Sequence, residues 1–252
     1  ACRPPETITH WSTRELAQHL SEQGINVSHM TVQRVLSAEK IKPHLREYWL
    51  NSTDPDFEAK QTEIIGLYLN PPENALVISV DEKTGLQALG RKHPSKPVTK
   101  GSPEKMEFEY KRHGTVSLIA SLAVHQGEIV GKCYERHTNT EFIDFLEEID
   151  LSYGHYGKEI HLIVDNLSVH KHQKVKDWLF EHSNYYLHFT PTHASWLNQI
   201  ELWFSIYARK IIKRGVFSSK DDLVAKTIEY IKLYNKNAQP FRWTYTGDPL
   251  TI

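Results

Sequence analysis

Asp81, Asp165 and Glu201 stand where a carboxylate is unfavourable unless it has a task. Asp81 ends the apolar run Ala75-Leu76-Val77-Ile78-Ser79-Val80, and Asp165 ends Leu162-Ile163-Val164. Glu201 lies inside the apolar stretch Trp196 to Phe204. Buried strands that stop on an acid gather oxygens at one sheet edge. Such a cluster repels itself, so it needs a cation or a proton. Hard oxygen donors suit Mg²⁺ or Mn²⁺. Two such ions, about 4 Å apart, would serve in-line transfer at a phosphodiester: one activates a water or a 3′-hydroxyl, the other steadies the leaving oxygen. Each acid also has a plainer explanation. Asp81 can cap a turn with Lys83 and Thr84, Asp165-Asn166 is good turn chemistry, and Glu201 can pair with a cation. The order strand-Asp, strand-Asp, helix-Glu favours the joint reading. Paired carboxylates also serve glycosidases, but these need no third acid. Glu82 is assigned a supporting role at most, because neighbours on a strand point to opposite faces. Asn166 and His170 follow the second aspartate, and Asn198 precedes Glu201 by one helical turn. His170 is read equally as a substrate contact or a helix cap.

These acids need a sheet with helices across it. Strands are expected at 75–81, 86–89, 115–124, 129–134, 161–165 and 185–190. Helices are expected from a capping box at Thr138, near 171–182, from about 195 to 214, and at 220–234. The layout is α/β with a mixed sheet. Upstream, residues 12–38 read as two short helices with Gly24 between them, either a helix-turn-helix or a plain helical hairpin. In the first case His29, Thr31, Gln33 and Arg34 would face DNA. Residues 39–53 read as a connector, followed by a helix from Pro55 to about Leu69.

The chain has 252 residues and a formal net charge of −1, which is not the strongly basic balance common in nucleic-acid binders. Its cations are uneven, however. Arg91, Lys92, Lys96, Lys100, Lys105, Lys111 and Arg112 crowd one segment, and Arg209, Lys210, Lys213, Arg214 and Lys220 another. Either group is a solvated surface or a phosphate contact. Cys2 and Cys133, the only cysteines, make no disulfide framework or zinc site, so a reducing compartment is expected. No apolar run approaches the ~18 residues of a membrane span, and no secretory signal is visible. The chain begins with Ala1, so a piece of a longer product is expected.

Three blocks carry a resemblance: Val80-Asp81-Glu82-Lys83-Thr84, His161 through Lys171, and Pro191 through Glu201. They resemble the signature blocks of DDE transposases, in particular the bacterial insertion-sequence group related to the mariner superfamily. The aspartate-asparagine-x-x-x-histidine and asparagine-x-x-glutamate blocks stand in the right order, with 35 residues between Asp165 and Glu201. One departure is Ala-Ser-Trp-Leu-Asn-Gln, where the family commonly carries Ser-Pro before Leu-Asn-Pro. The resemblance implies a ribonuclease H-like catalytic domain with a mixed five-stranded sheet at 73–252. Before it would come a connector helix at 51–72 and a helix-turn-helix module at 1–50, shorter than the family's paired DNA-binding region. It further implies Asp81, Asp165 and Glu201 as the triad holding Mg²⁺ or Mn²⁺, and cut-and-paste DNA transposition. The implied partners are terminal inverted repeats, TA-containing target DNA and a second copy in a homodimer, in the bacterial cytoplasm. The competing expectations are a ribonuclease H-like nuclease without strand transfer, and an inactive or domesticated DNA-binding protein that keeps the fold.

Overall fold

The computed structural model describes residues 4, 9–43 and 54–244. Part of the expected connector, and Cys2, lie outside these residues. Two compact units are present, Ala1–Asn51 and Ser52–Ile252.

In the first unit, α1 (Thr13–Glu22) starts on a capping box. The Glu15 amide donates to Ser12 Oγ, and the Ser12 amide donates back to Glu15 Oε2. Gly24 turns the chain at φ +85°, a conformation that favours glycine. Ser28 then caps α2 (His29–Ala38) through the Thr31 amide. Leu16 and Ala17 pack against Val32, with Trp11, Leu20, Val27 and Leu36 around them. Both helices are therefore amphipathic and face each other.

The second unit is built on a mixed sheet ordered β3-β2-β1-β4-β5. Its strands are β1 (Ala75–Arg91), β2 (Tyr110–Ala123), β3 (Ile129–Tyr134), β4 (Glu159–Val164) and β5 (Tyr185–Phe189). The first three pair antiparallel as a meander, while β4 and β5 run parallel to β1. Helices α4 (Asn139–Tyr153) and α5 (Gln173–Glu181) cover one face: Phe142, Phe145, Leu146, Ile149, Val175 and Trp178 meet Leu76, Ile78, Val80, Leu162 and Val164. The other face carries α6 (Ile200–Tyr207) and α7 (Lys220–Asn235), with Trp203, Phe204 and Tyr207 fully buried against Leu118, Ala120 and Leu122. There the Tyr207 and Thr227 hydroxyls hydrogen-bond at 2.8 Å. On the α6 side, α3 (Phe57–Leu69) sets Ile64, Leu67 and Tyr68 against Val77, Val124 and Ile163. The expected connector helix is thus part of this core.

Two expectations change. The strands expected at 75–81 and 86–89 are one strand with a bulge. Between Lys83 and Leu86 β1 advances three residues while β2 moves from Leu118 to Val116. Gly85, at φ +65°, takes up the extra residue. A one-residue insertion sends every later side chain to the other face. Ile78 and Val80 accordingly face α4, whereas Leu86 and Ala88 face α6 and α7. The helix expected from 195 to 214 is also broken. A 3₁₀ turn (Ser195–Leu197) is followed by Asn198 in an extended conformation. Then come α6 and a π-helical segment at Ala208–Ile212, closed by the Lys213 amide on the Ala208 carbonyl at 2.8 Å.

Candidate active site

The parallel pairing of β1 and β4 sets Ser79 opposite Ile163. Two residues further along each strand are Asp81 and Asp165, so the two aspartates leave adjacent strands at the same level, about 4.8 Å apart in backbone terms. Asp81 also pairs with Ala120, on the face that α6 covers. Glu201 sits in the first turn of α6, with its amide on the Asn198 carbonyl at 3.1 Å.

Asp81 is 8 % exposed, and burial pushes its carboxyl up to about 7. The negative charges of Glu82, Asp165 and Glu201 push the same way, against the lowering by the Glu82 amide, which donates to Asp81 Oδ1 at 2.7 Å. Asp165 and Glu201, the other two acids of the trio, therefore both act on the Asp81 carboxyl. Asn198 Nδ2 donates to Asp81 Oδ2 at 3.2 Å and to the Val80 carbonyl at 2.9 Å.

On the opposite side of β1, Glu82 is closer to the site than strand alternation suggested. His170, 1 % exposed and tilted against Phe142 at 4.2 Å between ring centroids, lies between two carboxylates. Its Nε2 is 3.0 Å from Glu82 Oε1, and its Nδ1 is 3.0 Å from Asp165 Oδ1. Burial opposes a charge on this imidazole, but the bonds to Asp165 and Glu82 outweigh it and hold its pKa near about 10. His170 is therefore neither an exposed substrate contact nor a helix cap. Its two ring nitrogens bridge Glu82 to Asp165. Glu82, Asp165 and His170 could gather around an ion, since one donor atom of each lies within 4.8 Å of the others.

The donor set of Asp81, Asp165 and Glu201 is all oxygen, is mutually repulsive and is partly buried. That is the chemistry a hard divalent cation stabilises. Asp165 Oδ1 accepts from the Leu167 amide at 3.2 Å and faces His170, whereas no described bond uses Oδ2. Glu82 Oε2 is buried without a hydrogen-bond partner.

The other candidates divide. Asn166 turns aside to Thr192 (3.2 Å) and Lys171. Arg91 is occupied: its guanidinium donates to the Glu107 carbonyl at 3.1 Å, and Lys92 pairs with Glu109 at 2.6 Å. Both lie roughly 30 Å along β1 from Asp81, given the rise per strand residue. Arg209, Lys210, Lys213 and Arg214 are exposed on and after the π segment. In the first unit Gln33 and Arg34 are exposed, while His29 and Thr31 are half-buried. Sequence reasoning missed Ser79 and Tyr68, which bond to the turn around Asn198. A serine inside the run Val77-Ile78-Ser79-Val80 was the available signal.

The family profile described as DDE superfamily endonuclease matches residues 77–224. A curated relative, the insertion element IS630 uncharacterized 39 kDa protein of Shigella sonnei, is 27 % identical over 210 residues. That alignment covers 79 % of this chain and 57 % of the relative, so the chain spans little more than half of that protein's length. Among solved structures, the Mos1 mariner paired end complex with Mn is similar with a TM-score of 0.59 at 15 % identity, over 92 % of this chain and 73 % of that one. The Mos1 strand transfer complex is similar with a TM-score of 0.59 at 15 % identity, over 91 % and 72 %. The fold is thus the ribonuclease H-like arrangement of transposase catalytic domains, and the chain belongs to the DDE superfamily endonuclease family.

Proposed function

We propose that this chain is a DNA transposase that cleaves strands at the ends of a mobile element and joins them to target DNA. The reading rests on one observation above all: Asp81, within β1, and Asp165, just past the end of β4, stand level on adjacent parallel strands, and Glu201 adds its charge from α6. Asp81, Asp165 and Glu201 would hold two Mg²⁺ or Mn²⁺ ions. When bound, these ions supply an activated water or 3′-hydroxyl and neutralise charge on the leaving oxygen. Asn198 orients the Asp81 carboxylate, and His170 restrains that of Asp165. The cap of α6 and α7 over the sheet keeps Asp81 largely from water, which strengthens its pull on a cation.

DNA contact falls to the N-terminal part of α2, with exposed Gln33 and Arg34 and half-buried His29 and Thr31, and to Arg209, Lys210, Lys213 and Arg214 after α6. Arg91 and Lys92 keep structural roles first. The motif resemblance supports terminal inverted repeats and a TA-containing target as substrates, a homodimer that brings two ends together, and action at the bacterial nucleoid. Among the described residues no helix is long and apolar enough to cross a membrane.

The test incubates the purified chain with repeat-end DNA in Mn²⁺, Mg²⁺ or EDTA and maps products at nucleotide resolution. Metal-dependent nicks with 3′-hydroxyl ends, followed by joined products, are expected. Asp165→Asn is expected to lower cleavage by at least about 10³-fold, equivalent to several kcal/mol of charge stabilisation, while DNA binding persists. Cleavage without joining would leave a nuclease. DNA binding that survives loss of all three acids, with no cleavage by the unaltered chain, would leave a binding protein.

A further inference from the structure

The Asp81 carboxylate is held by a hydrogen-bonded chain that begins on α3. Tyr68 O–H donates to the Leu197 carbonyl at 2.7 Å, and the Gln199 amide approaches the same phenol oxygen at 3.4 Å. These are the two residues either side of Asn198. Ser79 Oγ–H donates to Asn198 Oδ1, and Ser79 Oγ accepts from the Ile200 amide at 3.2 Å. With its oxygen engaged by Ser79, the Asn198 amide must turn its nitrogen to Asp81 Oδ2 and the Val80 carbonyl. The flipped amide would set its oxygen against those two acceptors. Ser79, Asn198, Gln199 and Tyr68 are all buried, so water does not substitute for a lost bond. The same turn leads directly into α6 and thus sets where Glu201 begins.

We infer that Ser79 and Tyr68 are positioning residues that act through Asn198 to hold Asp81, and the start of α6, in the geometry that binds divalent metal. The inference rests on the reading of Asp81, Asp165 and Glu201 as metal ligands. It assigns to α3 and the middle of β1 a task that their apolar surroundings hide.

Metal binding is measured without DNA, by the electron paramagnetic resonance signal of free Mn²⁺, with thermal melts in EDTA to check folding. Ser79→Ala and Asn198→Ala are each expected to weaken Mn²⁺ binding on the order of tenfold, the usual scale for partners that orient a ligand. The double variant is expected to bind no more weakly than Asn198→Ala alone. Ser79→Thr, which keeps the hydroxyl, is expected to restore most of the affinity. Tyr68→Phe removes one oxygen from a ring that stays packed; it is expected to weaken binding less, and it carries the test if Ser79→Ala does not fold. Unchanged Mn²⁺ affinity in both Ser79→Ala and Tyr68→Phe overturns the inference, as does a double variant in which the losses add. Asp81→Asn separates the two levels. If it binds Mn²⁺ as the unaltered chain does, the ligand reading itself fails. If it loses Mn²⁺ while Ser79→Ala and Tyr68→Phe do not, only the positioning role fails.

Discussion

Replacing Asp81 with asparagine should stabilise the metal-free protein while removing its affinity for metal. Burial, with the charges of Glu82, Asp165 and Glu201, pushes the Asp81 carboxyl up to about 7. An unperturbed aspartic acid titrates near ~3.9, so keeping Asp81 ionised in the fold above pH 7 costs up to about 4 kcal/mol. Relaxation and water bring such figures down, to roughly half. The substitution also loses something. Asp81 accepts from the Glu82 amide on one oxygen and from Asn198 on the other, and an asparagine offers one oxygen, so about 1 kcal/mol is forfeited. The net gain is about 1 kcal/mol, or about 2–4 °C in Tm for a unit of this size. The sign with pH follows from a folded pKa above the unfolded one. The Asp81 contribution to stability is fully present below about pH 4 and is lost as pH rises through about 7. The advantage of Asp81→Asn should therefore appear at pH 8 in EDTA and vanish or reverse at pH 5. Mn²⁺ should raise the melting temperature of the unaltered chain and leave the Asp81→Asn protein unmoved. An Asp81→Asn protein that melts below the unaltered chain at pH 8 in EDTA would refute the claim that Asp81 is held against its own electrostatics.

Gly127→Ala should destabilise the second unit by about 1–3 kcal/mol, read by chemical denaturation. Gly127 sits at φ +77° in the β2–β3 turn, and an added Cβ would meet the Gln239 backbone at 2.3 Å. Ser12→Ala should cost the first unit about 1 kcal/mol by removing its half of the capping box, seen as earlier loss of helical circular dichroism in that unit. Charge reversal at Arg209 and Lys210 should weaken DNA binding and reduce the slope of log affinity against log salt by roughly 2, as two phosphate contacts go. An unchanged slope would make both residues ordinary surface.

The elements that position the acids were legible where local pattern and tertiary packing agree. The capping boxes at Ser12 and Thr138 form as their spacing predicts, and the apolar faces of α4 and α7 are those of the 3.6-residue period. Legibility failed where one residue changed the phase. Gly85 inserts a bulge, so the alternation of β1 breaks and a single strand reads as two. In the same way the run from Ser195 to Arg214 keeps a helical composition throughout. Asn198 leaves the helical region with its side chain engaged by Ser79, more than a hundred residues away in the chain, and no local signal carries that partner. Charge runs count residues along the chain and say nothing of distance: β1 carries Arg91 far from Asp81.

Glu82 shows most clearly why strand alternation was insufficient. The rule itself holds: Asp81 turns to Asn198 under α6, and Glu82 turns the other way, toward His170 and α4. The error was to equate the opposite face with distance from the site. Asp165 lies one residue beyond β4, where the pleat no longer dictates direction, and it bears on both sides. It adds its charge to Asp81 on one face and meets His170 on the other. The plainer reading of Asp165 as a turn residue is also correct, since its Oδ1 accepts from the Leu167 amide. Oδ1 serves the turn and His170, and under the proposed function Oδ2 would be the oxygen offered to a cation. The turn reading and the proposed ligand role therefore do not compete: the turn engages one oxygen of Asp165 and would hold the other in place for a cation.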